Sequence, residues 1–70
     1  MVEMMACKIQ IKESLDRRWE AYFSPLQMSV TQDGTVLTGF IHDQAELFGI
    51  LLKIRDLGLT LLNVTPVEKP

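Results

Sequence analysis

The chain has 70 residues, a net charge of −2, a pI of 5.2, 47% hydrophobic residues and one cysteine. That length makes a single domain over residues 1–70, near the lower limit for folding alone, where about 60% of the unfolded surface is buried. The acidic balance leaves no basic field for nucleic acid. The lone cysteine rules out an internal disulfide and a cysteine-based metal site, and no apolar run approaches the ~20 residues that span a bilayer.

The N-terminal MVEMMACK begins with an acid and lacks an apolar run of signal-peptide length; with a single thiol, it suits a reducing cytoplasm. Residues 7–12 alternate, so they read as a strand with Cys7, Ile9 and Ile11 inward and Cys7 as a buried, inert thiol. Ser14 and Asp16 then offer N-caps, and LDRRWEAYF places Leu15, Trp19, Tyr22 and Phe23 at helical spacing. This predicts a helix ended by Pro25, with its aromatics used for packing and Arg17 and Arg18 on a solvated face.

Leu26, Met28 and Val30 alternate with Gln27, Ser29 and Thr31 as a second strand, whose outward residues carry no charge to guard an edge. Asp33-Gly34 is the dipeptide of a type I′ turn. A loop of those two residues pairs Val30 with Leu37, Met28 with Gly39 and Leu26 with Ile41. Leu37, Gly39 and Ile41 then face the core, and Val36, Thr38 and Phe40 face away. Gly39 leaves room for a helix or a bulky side chain to cross.

The densest apolar stretch is DQAELFGILLKIRDLGLTLLNVTPV, from Asp43 to Val67. Asp43 and Glu46 form a capping box, with the Asp43 carboxylate accepting from the Glu46 amide and Glu46 reaching back to the Asp43 amide. Leu47, Leu51 and Ile54 centre an apolar stripe flanked by Ile50 and Leu57 on one side and by Phe48 and Leu52 on the other. The arc covers roughly 220°, about twice what packing on one sheet needs. Gly58 stops the helix in a Schellman motif, with Leu59 folding back on Ile54. LTLLNVTPV follows as a strand, and Pro66 marks it as an edge.

The segment DQAELFGILLKIRDLGLTLLNV resembles one of the form DQAxLxGxLxxIRDLGLxLLxV shared by short uncharacterised bacterial proteins. The resemblance implies a compact bacterial protein of one domain and implies no activity.

The element order predicts an α+β fold: a ferredoxin-like βαββαβ two-layer sandwich, antiparallel sheet order 4-1-3-2, with both helices on one face. No catalytic, cofactor-binding or metal site emerges. His42 is the only histidine, beside a helix cap, with no nucleophile placed next to it; the acids lack metal-loop spacing and the glycines make no phosphate fingerprint. The excess apolar surface instead marks a non-catalytic interaction or oligomerisation module, with Phe48, Leu52, Phe40 and Val36 as interface candidates and Leu61 joining the last two on the open sheet face. The expected partner is a second copy in a two-fold homodimer, or another protein. The alternative is a regulatory domain that senses a small ligand and resembles ACT domains, an analogy at the level of fold.

Overall fold

The computed structural model describes residues 5–67. Four strands, β1 (Met5–Ile11), β2 (Gln27–Thr31), β3 (Gly34–Ile41) and β4 (Leu61–Val67), form one sheet in the order β2-β3-β1-β4 with antiparallel neighbours. The single α-helix among the described residues, α1 (Gln44–Asp56), joins β3 to β4. Cys7, Ile9 and Ile11 of β1, Met28 of β2 and Leu37 and Ile41 of β3 are buried on one face with Phe23, Leu26, Ile50 and Ile54. The alternation in the sequence thus maps onto one buried sheet face.

The two-helix ferredoxin-like βαββαβ sandwich is not what forms. The sheet order is 4-1-3-2 read from its other edge, so the departure lies in the layer above the sheet. The expected first helix is replaced by two 3-10 turns, Arg17–Trp19 and Ala21–Phe23. The backbone bonds Trp19 N–H to Asp16 C=O, Glu20 to Arg17, Phe23 to Glu20, and Ser24 to Ala21 all span three residues. A helix confined between Asp16 and Pro25 would be marginal at that length. Two tertiary interactions then decide against it. Glu20 turns its carboxylate away to accept from the Met28 amide at 3.0 Å, and Phe23 enters the core, fully buried. Asp16 does cap, accepting from Arg18 N–H at 3.0 Å, but it opens a turn rather than a helix.

The hairpin is also corrected. Thr31 pairs with Gly34, Val30 with Thr35 and Met28 with Leu37, so the loop is Gln32-Asp33 and the register is two residues from the expected one. A slip of two preserves which face each side chain takes, which is why the core assignment survives it. Among the described residues no non-glycine residue has positive φ, so the loop is not a type I′ turn; Gly34 takes the unusual conformation instead, at φ +138°. A Cβ there would sit against the carbonyl oxygen of Ile11 and 2.9 Å from that of Lys12. Glycine at 34 is therefore demanded by backbone packed on backbone. Gly39, paired with Cys7, has Leu26 lying over it, the bulky side chain that its missing Cβ accommodates.

The chain ends of these elements are tied by polar contacts. Glu13 accepts from Thr60 N–H at 2.8 Å and from Thr60 Oγ1 at 2.9 Å, while Lys12 N–H donates to Thr60 C=O. Thr35, buried, donates to Glu13 C=O at 2.7 Å and accepts from Leu15 N–H at 2.9 Å, so its hydroxyl is satisfied on both sides. At the helix C-terminus, Leu59 N–H reaches Ile54 C=O and Gly58 N–H reaches Arg55 C=O, with Gly58 at φ +72°; this is the expected Schellman motif.

Candidate functional site

Helix α1 buries Ile50 and Ile54 most deeply, while Leu47, Leu51 and Leu57 are partly covered. The packed seam therefore lies closer to Ile50 than the Leu47–Leu51 line expected from the stripe. Taking Leu47 as zero at roughly 100° per residue, Ile50 lies near 300°, Lys53 near 240°, Phe48 near 100° and Leu52 near 140°. Phe48 stands 57% exposed and Leu52 48% exposed.

Tyr22 and Trp19 are the side chains best placed to cover that flank, and they lie elsewhere. Lys53 Nζ donates to Tyr22 C=O at 2.9 Å and sits 5.0 Å from the Tyr22 ring centroid. The 3-10 segment thus packs on the Lys53 side of α1, toward β2, where Trp19, Tyr22 and Phe23 meet edge to face. The Phe48–Leu52 flank points the other way, and Leu52 lies about opposite the buried Ile50–Ile54 seam, away from the sheet. On β4, Leu61 is 43% exposed on the core-facing side, paired with Ile11.

A family model matches residues 6–65, most of the chain and every element just described. The chain belongs to the family described as Domain of unknown function (DUF8691). Among curated proteins and among solved structures, none matches it.

On the open face of the sheet, Phe40 is 45% exposed and Val36 is half-buried. Leu61 was expected beside them, but β4 carries a bulge where Gln10 pairs with Asn63 and Ile11 with Leu61. The extra residue, Leu62, is 58% exposed and lines a shallow pocket of about 230 Å³ with Gln10, Thr31 and Val36, so Leu62 replaces Leu61 on that face. A second shallow pocket, about 320 Å³, is lined by Pro25, Gln27, Gly39 and Phe40. Neither gathers charged groups that converge on a ligand. The four expected interface residues accordingly divide, with Phe48 and Leu52 on the helix flank and Phe40 and Val36 on the opposite side of the sheet.

Both sheet edges are guarded. Glu20 occupies the outward Met28 amide of β2, a charged guard that the residues of β2 themselves do not reveal. On β4, Pro66 stands opposite Cys7 and has no N–H to give a further strand.

The only histidine adjoins the helix cap. Asp43 accepts from Glu46 N–H at 2.9 Å as expected. Glu46, however, reaches past Asp43: its Oε1 accepts from the His42 backbone N–H at 2.7 Å and lies 3.2 Å from His42 Nδ1. The His42–carboxylate pair is thus exposed at the mouth of the helix and spends its oxygen on a backbone amide. Burial pushes the Cys7 thiol up, which disfavours the reactive thiolate. Among the described residues no group of three His, Cys, Asp or Glu could hold a metal ion, and no helix is long and apolar enough to cross a membrane.

Proposed function

We propose that this protein is a non-catalytic interaction and oligomerisation module of the reducing cytoplasm, working as a two-fold homodimer through the outer flank of α1. The observation that carries this is the exposure of Phe48 and Leu52, one helical turn apart, on a flank that the 3-10 segment leaves open. Scattered exposed leucines are ordinary on soluble proteins, but a phenylalanine and a leucine aligned on one turn make a surface with a direction. The guarded edges support the same reading, since they disfavour pairing strand to strand. Closed two-fold contacts are the commonest solution for soluble oligomers. The ACT-like ligand sensor rested on a two-helix topology that this chain lacks, and neither shallow pocket lends it support.

Sedimentation equilibrium at micromolar concentration tests the proposal. The expected mass is twice 8.0 kDa, falling to the monomer in Leu52→Lys. A mass of 8.0 kDa for the unaltered chain across that range rejects the homodimer and leaves a different protein as the partner.

A further inference from the structure

Two features of α1 are costly to an isolated chain. Gly49 sits in the middle of the helix, where glycine is roughly 1 kcal/mol less favourable than alanine, and a Cβ there would meet nothing within 4 Å. No close approach inside the chain requires it. Asp56 ends the helix with a carboxylate beside the negative end of the dipole, paired among the described residues with Arg55 alone, at 3.3 Å on an exposed surface. Both residues border the exposed flank: Asp56 lies near 180° and Gly49 near 200° on the scale where Leu52 is near 140°.

We infer that α1 of one copy packs antiparallel against α1 of a second copy, with the closest approach of the two helices at Gly49. This rests on the homodimer reading and specifies its geometry. In an isologous contact every residue meets its counterpart reciprocally. An antiparallel register that seats Leu52 of each copy over Gly49 of the other also brings Phe48 beside the partner's Leu52. It sets Asp56 beside the partner's Ala45, in the first turn of that helix. Each unfavourable feature is thereby reversed. The absent Cβ becomes the hole for a leucine knob, and the carboxylate moves from the negative end of its own dipole to the positive end of its partner's. The partner's first turn already carries Asp43 and Glu46, so Arg55, 3.3 Å from Asp56, is the group that offsets the carboxylate there.

Substitution at position 49 separates this geometry from the proposal beneath it, since the two predicted effects have opposite signs. Gly49→Gln and Gly49→Ala should both raise the unfolding temperature measured at concentrations dilute enough to keep the chain monomeric. Gly49→Gln should weaken dimerisation about tenfold or more, as overpacking at a close contact does. Gly49→Ala should weaken it by a smaller factor. Dimerisation by Gly49→Gln as tight as that of the unaltered chain, with Leu52→Lys still dissociating, would overturn the close approach and leave the flank as the interface. If Gly49→Gln fails to fold, Gly49→Ala decides: a stabilised monomer with a weakened dimer supports the inference, and any other pairing rejects it. An unaltered chain that is monomeric removes both.

Discussion

Gly34 shows how a single residue can be required for a reason other than its turn. Asp33-Gly34 reads as a hairpin signal, and a hairpin is there, but the turn residues are Gln32 and Asp33. The glycine is fixed by φ +138° and by the carbonyl oxygens of Ile11 and Lys12, which occupy the space of a side chain. Gly34→Ala should therefore cost about 2 kcal/mol or more, since neither the backbone conformation nor the neighbouring backbone can yield easily. Chemical denaturation checks this, and a loss below about 0.5 kcal/mol would contradict the packing described. The contact that fixes Gly34 comes from the end of β1, more than twenty residues earlier in the chain, so no local reading of the hairpin could disclose it. Asp43 and Gly58 are the converse case. Their partners lie within five residues, and both caps were legible in the sequence.

At the scale of elements, strands and the long helix were readable because their periodicity is their own. The segment between Asp16 and Pro25 was not, because helical spacing of Leu15, Trp19 and Phe23 is satisfied equally by turns that put Phe23 in the core. Its fate was decided by Glu20 and Met28, two residues joined only in the folded chain. The bulge that exposes Leu62 is hidden for the same reason. Elements are also held to one another by Glu13, which joins the end of β1 to the start of β4. Hydrogen bonds from the Thr60 amide and then the Thr60 hydroxyl hold its carboxyl below the ordinary glutamate value. A depressed folded pKa gives stability that is present above the unfolded value and lost as pH falls through the folded one. Acid should thus weaken the unaltered chain more than Glu13→Gln, beginning below about pH 4.3. Thermal melts of the two proteins should differ in midpoint at neutral pH and converge as the carboxyl protonates. A difference that stays constant down to pH 3 or so would show that the Thr60 clamp does not titrate.

For the molecule as a whole, size is the governing constraint. Among the described residues the core comprises ten buried hydrophobic residues and Thr35, drawn from all the layers but small for the entropy that a chain of 70 residues loses on folding. A second chain adds burial without lengthening the first, and it links stability to concentration. For a homodimer that unfolds directly to separated chains, a tenfold rise in concentration contributes about 0.7 kcal/mol per chain, half of the usual 1.4 kcal/mol. In a domain of this length that should raise the melting temperature by roughly 3–6 °C. Melts recorded by circular dichroism between about 1 and 100 µM should therefore spread over twice that interval, and Leu52→Lys should give one temperature throughout. Should the unaltered chain melt at a fixed temperature, folding would owe nothing to a second copy, and Phe48 and Leu52 would have to be explained by another partner. The spread has a further use, because Gly49→Ala should narrow it while lifting its dilute end, a combination that added helix propensity alone cannot produce.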